Sequence, residues 1–286
     1  MVYKNFNHLK SLSKINIFLN VLKKKKNFHV INSFVVQTDL KDDIFIKEIE
    51  NGKKDIISFK GLNQKLGFRN STIHKILNLI RKEKKLQEVF FKVIVNKKIP
   101  IGSGLGGSSS NCTTIFNYLK KNYKLNFSKY KEVKILSKIG KDCPIFLNNK
   151  PKLIYNFGER FKIINFKKKL NILIVYPKKI LLTKEVYKKN IIFSKGLGIS
   201  KIIKNNNLNY KAFKNDLLNI SINIEPKIAN IINLLKRIDS CKYCNISGSG
   251  SACFGIFGDK KSLYNAKNMF KRKYKNYWTA SVKTIN

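Results

Sequence analysis

Acidic side chains are scarce in this chain: 16 Asp and Glu stand against 59 Lys and Arg in 286 residues, a formal charge of +43. Such a balance ordinarily points to nucleic acid or to an anionic membrane. Arginine, however, is nearly missing. Only Arg69, Arg81, Arg160, Arg237 and Arg272 carry the planar fork that favours bidentate recognition of phosphates and bases. The lysines are spread among Asn and Ile rather than gathered into one stripe. The charge therefore reads as a solvated surface that attracts polyanions without specificity and favours an anionic substrate, and no specific nucleic-acid partner is expected.

Long apolar runs are missing as well. No stretch reaches the ~18 apolar residues of a membrane span. The first residues are basic but lack the continuous apolar core and small-residue cleavage site of a signal peptide. The expectation is a cytoplasmic protein with no membrane partner. The cysteines, Cys112, Cys143, Cys241, Cys244 and Cys253, are an odd number in a large chain and imply reduced thiols. Cys241 and Cys244 form a C-x-x-C with no second pair and no nearby His, so no metal site is expected. With 43% hydrophobic residues, the chain has material for one large or two moderate cores.

What the chain does have is glycine and serine concentrated in one stretch, Ile99-Pro-Ile-Gly-Ser-Gly-Leu-Gly-Gly-Ser-Ser-Ser-Asn-Cys112. Gly102, Gly104, Gly106 and Gly107 permit positive φ and close approach to a ligand, and Ser108, Ser109 and Ser110 add hydroxyls at a helix start. Val89 to Asn96 alternates like a strand, while Cys112, Ile115, Phe116 and Leu119 recur at helical spacing. The loop thus joins a strand to a helix whose positive end faces an anion. A Walker A loop requires Lys directly after the last Gly, and Ser108 stands there instead. Gly102, Gly104 and Gly107 spell G-x-G-x-x-G, but no acid follows about 20 residues on, as a dinucleotide site requires.

Pro100 to Asn111 resembles the phosphate loop of the small-molecule kinase superfamily that includes galactokinase, homoserine kinase and mevalonate kinase, P-x-G-x-G-L-G-G/S-S-S-A/N. The resemblance implies ATP, with its triphosphate on Pro100, Ile101, Gly102, Ser103, Gly104, Leu105, Gly106, Gly107, Ser108, Ser109, Ser110 and Asn111. Ser108 departs from the usual Gly.

Read from the start, Ile15, Ile17, Leu19 and Val21 share one face of a strand, which leaves Lys14, Asn16 and Asn20 on the other. Taken alone, that face reads as the exposed side of an edge strand. Ser13 to Leu19 nevertheless resembles A-K-I/L-N-L-F-L in the branch of the superfamily that acts on a cytidyl diphosphate of methylerythritol. In that branch a G-Y-H segment follows, and its Tyr and His are implied to hold cytosine. Here Asn27, Phe28 and His29 occupy those positions, and Phe keeps the stacking face without the hydroxyl.

Strands are expected at Val30 to Val36, Asp42 to Ile49 and Asp55 to Lys60, the last two parted by an Asn51-Gly52 turn. Asn70-Ser71 caps a helix with Ile73, Ile76, Leu77 and Ile80 on one face, and His74 is assigned no role. A second helix runs from Phe127-Ser128 to Gly140. Lys141 to Leu147 follows and resembles the family's G-A-D-V-P-F-F-L, which implies that Asp142, otherwise a plain turn former, is the general base. Lys141 replaces the usual Ala.

Strands at Leu153 to Phe157 and Leu170 to Tyr176 lead to a stretch, Lys204 to Asn209, expected to loop out. Asn215-Asp216-Leu217 resembles the family's N-D-L segment. A helix after Pro226, paired strands around a Ser247 to Ser251 turn, a helix near Leu263 and a last strand complete a β-α-β-β-α-β order, that of a ferredoxin-like domain. The Gly-Ser turn resembles the superfamily's third motif.

The fold expected is therefore α+β, with a ribosomal-protein-S5-like N-terminal domain over residues 1–155 and a ferredoxin-like domain over 156–286. The function implied by the resemblance is transfer of the ATP γ-phosphoryl group to the 2-hydroxyl of 4-diphosphocytidyl-2-C-methyl-D-erythritol, in the non-mevalonate isoprenoid pathway, with Mg²⁺ bridging the phosphates. Asp142 would take the hydroxyl proton, and Lys14 would stabilise charge and keep Asp142 ionised. Asn16, Phe28, His29, Asp142, Gly248, Ser249 and Gly250 are the implied substrate-binding residues. A sibling kinase acting on homoserine or mevalonate and a nucleic-acid-binding protein are the alternatives, and nothing in the sequence fixes an oligomeric state.

Overall fold

A computed structural model describes residues 5–26, 28–62, 71–83, 86–204 and 207–285. Asn27 and Asn70, named above, lie outside the described residues. The chain divides into two compact units that are discontinuous in sequence. The first comprises Met1–Ser13, Lys41–Ile101 and Gly106–Asn148, the second Lys14–Leu40, Gly102–Leu105 and Asn149–Asn286. Strands β1 (Asn7–Lys25) and β2 (Phe28–Glu48) each contribute residues to both.

In the first unit, the end of β2 pairs antiparallel with β4 (Phe91–Lys97), from Asp43 opposite Asn96 to Glu48 opposite Phe91. On the other side of β4 lies β3 (Ile56–Gly61), in parallel. Parallel neighbours need a crossover, and α1 (Thr72–Lys82) supplies it. Two expectations change here. The expected strand from Asp42 to Ile49 is the end of β2, up to Glu48, rather than a separate strand, and Asn51-Gly52 does not close a hairpin, because β4 lies between β2 and β3. Alternating hydrophobicity specifies a strand and its buried face but not its neighbour. Asp55 at the entry of β3 instead takes both arms of the Arg81 guanidinium at 2.7 and 2.8 Å and the Phe91 N–H at 2.9 Å, tying the end of α1 to the starts of both strands.

The Ser71 Oγ caps α1 by accepting from the His74 N–H, and Arg81 and Lys82 lie at the negative end of its dipole. Ile73, Ile76, Leu77 and Ile80 are buried against Cys112, Ile115, Phe116 and Leu119 of α2 (Gly107–Asn122), as both periodicities require. Each such side chain contributes roughly 1.5–3 kcal/mol by leaving water. Helix α3 (Lys129–Ile139) runs from its Ser128 cap to Gly140. A short 3-10 turn over Cys143–Leu147 follows, with Asp142 at its N-terminal boundary and Pro144 in its first turn.

In the second unit, β5 (Lys152–Asn156) pairs with the early part of β2 and with β6 (Arg160–Ile163), a strand too short and polar for its pattern to show in the sequence. β7 (Asn171–Tyr176) is followed by α4 (Thr183–Lys188), α5 (Ile199–Ile202), a two-residue ladder of β8 (Ile203–Lys204) and β9 (Asn207–Leu208), and α6 (Leu218–Ile224). The 204–209 stretch therefore pairs with its own surroundings instead of simply looping out, and residues 205–206 lie outside the described set. Helix α7 (Lys227–Lys236), β10 (Cys241–Ile246), β11 (Cys253–Phe257), α8 (Lys260–Lys273) and β12 (Trp278–Ile285) complete the unit. The spatial order β12, β7, β11, β10, antiparallel throughout, is the ferredoxin-like arrangement expected. Ile228, Ile231, Ile232 and Leu235 of α7 and Leu263, Ala266 and Phe270 of α8 are buried in its core. Among the described residues no helix is long and apolar enough to cross a membrane.

Candidate active site

The loop after β4 changes unit as it runs. Gly102–Leu105 packs with the second unit, and Gly106 onward with the first. Gly106 takes φ of 75° as the N-cap of α2, a left-handed conformation that suits glycine. The first intrahelical bond is from the Ser110 N–H to the Gly106 carbonyl, at 2.9 Å, so the amides of Gly107, Ser108 and Ser109 come before the helix ladder begins. Ser108, where glycine is usual, lies inside α2 and needs no positive φ. Its carbonyl accepts from Thr72 Oγ1 at 2.8 Å.

Asp142 is half-buried and Lys141 exposed. The turn holding Asp142 is anchored to α2 by a 2.7 Å bond from Thr113 Oγ1 to the Cys143 carbonyl. Thr113 lies on the second turn of α2, so the start of the helix and the turn after Asp142 are joined directly within the first unit.

In the second unit, Gly104 has φ of +83°, and a Cβ there would come within 2.1 Å of the Ser247 carbonyl oxygen. Its own carbonyl accepts from Lys14 Nζ at 2.7 Å and from Ser247 Oγ at 3.0 Å. Lys14 also donates to Asn16 Oδ1, and Asn16 Nδ2 donates to Ser33 Oγ at 2.8 Å. Lys14 and Asn16 are only 3% and 6% exposed, so their face of β1 is no solvated edge. It is covered by Gly102–Leu105 and by the Ser247–Ser251 turn. Gly248 sits close by, since a Cβ on it would be 3.4 Å from both Asn16 Oδ1 and Lys14 Nζ. Asn215 holds the turn by donating to the carbonyls of Ile246 and Gly248 at 3.1 and 2.9 Å. Ser249 meets Thr183 Oγ1 at 3.1 Å, and its carbonyl accepts from Ser221 Oγ. Lys14 and Asn16 of β1, Gly104 of the loop and Ser247 and Gly248 of the turn, three segments distant in sequence, thus meet in one polar cluster.

Phe28 and His29 lie in the same unit. Phe28 is 54% exposed, with its ring 5.7 Å from that of Phe157. The His29 ring is 5.2 Å from that of Tyr187, on α4. Burial and then the nearby Lys24 charge lower the His29 pKa below its ordinary value, so the ring is neutral at neutral pH. Its Nε2 is buried without a hydrogen-bond partner among the described residues. A neutral imidazole has one donor and one acceptor nitrogen, so the hydrogen-bonding capacity of this buried atom is unspent. Sequence reasoning missed Tyr187, because one aromatic on a six-residue helix carries no periodic signal.

It also missed Asp42 and Lys97, which form a buried ion pair directly before the loop. Their signal was a charge of each sign on strands otherwise apolar on that side.

Residues 71–149 match the GHMP kinases N terminal domain, and residues 197–276 match GHMP kinases C terminal. A 4-diphosphocytidyl-2-C-methyl-D-erythritol kinase of Pelagibacter ubique is 34% identical over 97% of this chain and 98% of its own length. One from Wolbachia pipientis wMel is 30% identical with the same coverage. Among solved structures, a 4-(cytidine 5'-diphospho)-2C-methyl-D-erythritol kinase superposes with a TM-score of 0.80 at 20% identity, covering 98% of this chain and all of the other. A homoserine kinase from Cytophaga hutchinsonii superposes at 0.70 and 13% identity, over all of this chain and 96% of its own. With an α+β fold and near-complete coverage of relatives above the level at which kinship is secure, the chain belongs to the 4-diphosphocytidyl-2-C-methyl-D-erythritol kinase family of the GHMP kinases.

Proposed function

We propose that this protein transfers the γ-phosphoryl group of Mg·ATP to the 2-hydroxyl of 4-diphosphocytidyl-2-C-methyl-D-erythritol, in the cytoplasm, as a step of the non-mevalonate isoprenoid pathway. Phosphoryl transfer asks a protein for alignment and charge stabilisation more than for covalent chemistry. The amides at the start of α2 and the loop from Pro100 to Asn111 take the phosphates. Asp142 accepts the proton of the attacking hydroxyl. Lys14, oriented by Asn16 and the Gly104 carbonyl, stabilises the charge that develops on the transferred group. Mg²⁺, where it accompanies the nucleotide, would neutralise charge on the phosphates, and a Mg·ATP complex needs no dedicated protein cage.

The observation that favours a cytidyl acceptor over those of the sibling kinases is the orphaned Nε2 of a neutral His29 beside the Tyr187 ring, with the exposed Phe28 ring adjacent in sequence. A base with a polar edge and a flat face suits such a pair. Release of ADP from Mg·ATP by the purified protein tests the reading, with the cytidyl substrate, homoserine or mevalonate as acceptor. Release that depends on the cytidyl compound is expected. Release that depends on either of the others, or on none, overturns it.

A further inference from the structure

Asp42 and Lys97 take no part in the chemistry above, yet they are among the least accessible charges of the first unit, with side chains 0% and 3% exposed. Lys97 Nζ donates to Asp42 Oδ2. Asp42 Oδ1 accepts two backbone N–H groups, from Lys98 at 2.8 Å and from Ile99 at 2.9 Å. These are the last residues before the loop. Lys97 Nζ also reaches the far end of the loop, because a Cβ on Gly107 would stand 3.2 Å from it. Asn111, in the first turns of α2, completes the circuit. With its amide set to satisfy both of its atoms, its nitrogen lies 2.7 Å from Ser11 Oγ and 3.0 Å from both Asp42 Oδ2 and the Gly107 carbonyl, and its oxygen accepts from Lys97 Nζ at 3.3 Å.

The Asp42 carboxylate is therefore held by groups on both flanks of the loop. A buried ion pair adds little stability over apolar packing of the same volume, because desolvation consumes most of the attraction. What this pair supplies, and apolar side chains could not, is a directional link between Lys98 and Ile99 on one side and Gly107 and Asn111 on the other.

We propose that Asp42 and Lys97 are positioning residues for the phosphate loop. Their ion pair fixes the separation of the loop's two flanks within the first unit, and so the aim of the α2 amides at the triphosphate, without touching the nucleotide. This inference rests on the loop binding ATP.

The test is a charge-removal cycle in the full chain. Asp42→Asn and Lys97→Met each leave a buried group unpaired and are expected to lower both the urea midpoint and the affinity for Mg·ATP. The double variant Asp42→Leu/Lys97→Met removes both charges and is expected to recover most of the lost midpoint. Its KM for ATP should nonetheless stay raised by about tenfold or more, with the KM for the cytidyl substrate within about twofold of wild type. A double variant with wild-type KM for ATP overturns the proposal, since the pair would then be packing alone. Should the double variant not fold, Asp42→Glu is read instead. It keeps the charge and lengthens the arm, so it should raise the KM for ATP selectively, and an unchanged value overturns the proposal equally. Wild-type protein that binds no Mg·ATP refutes the underlying reading and this inference together. Wild-type binding matched by the double variant refutes this inference alone.

Discussion

Replacing Gly104 by alanine puts the tightest backbone approach in the second unit to the test. Its φ of +83° is a conformation that L side chains avoid at a cost of roughly 1–2 kcal/mol. The new Cβ would stand 2.1 Å from the Ser247 carbonyl oxygen and 3.0 Å from that of Gly250, where ordinary contact begins at 3.4 Å. Both obstacles are main chain, so the loop or the Ser247–Ser251 turn has to retreat by about an ångström. Such a shift strains the bonds from Lys14 Nζ and Ser247 Oγ to the Gly104 carbonyl. Bonds from a charged donor are worth roughly 1.5–3 kcal/mol each and neutral ones about 1 kcal/mol. The expected loss is therefore roughly 3–6 kcal/mol, read as a fall in the urea midpoint at unchanged slope. Turnover should fall with it, because Lys14 loses the carbonyl that orients it.

Gly248→Ala is the control. Gly248 also has positive φ, +63°, but a Cβ there would meet its neighbours no closer than 3.4 Å. Only the conformational term of roughly 1–2 kcal/mol remains. Equal losses in the two variants, or a Gly104→Ala protein within about 0.5 kcal/mol of wild type, would refute the argument that backbone approach rather than φ dominates at Gly104.

Asp142→Asn should lower turnover by a factor on the order of 10² to 10⁴ while the KM for ATP stays near wild type, and unchanged turnover removes Asp142 from the mechanism. His29→Ala should raise the KM for the cytidyl substrate and leave that for ATP alone, whereas movement of the ATP value alone would displace the cytosine site from His29. Lys152 is 1% exposed, and burial lowers its pKa from 10.5 to about 7. Between those values the unfolded chain binds a proton that the folded chain does not, so its contribution disfavours folding more strongly as pH falls from 10.5 towards 7 and is constant below. Lys152→Met should accordingly gain stability over wild type as pH is lowered through that window, measured as the difference between urea curves so that the other lysines cancel. A difference that does not vary with pH would show that the Lys150 carbonyl, 2.7 Å away, and the Phe161 ring keep the ammonium charged.

Much of this molecule is legible before folding because the signals are local. Ser71 and Ser128 cap the helices they precede, the stripes Ile73 to Ile80 and Cys112 to Leu119 are buried as their spacing requires, and Gly102, Gly104 and Gly106 take positive φ, whereas Gly107 is already helical. The loop stands out by its own glycines and serines, whereas the Lys14 and Asp142 segments stand out by their resemblance to family runs, since taken alone they read as an edge strand and a turn. Other features depend on which segments become neighbours. Nothing in the alternation of residues 42–60 says that β4 would insert between β2 and β3. Nor does the Lys14 face of β1 announce that it would be covered by Gly104 and Gly248, turning an apparent surface strand into a buried polar cluster. The Asp42–Lys97 pair and the Tyr187 ring beside His29 belong to the same class. Backbone conformation and amphipathic faces are set by residues within a few positions of one another, and the sequence by itself determined them. Partners separated by tens to hundreds of residues meet only when the sheets close, and the tertiary structure alone decided which of them share a site.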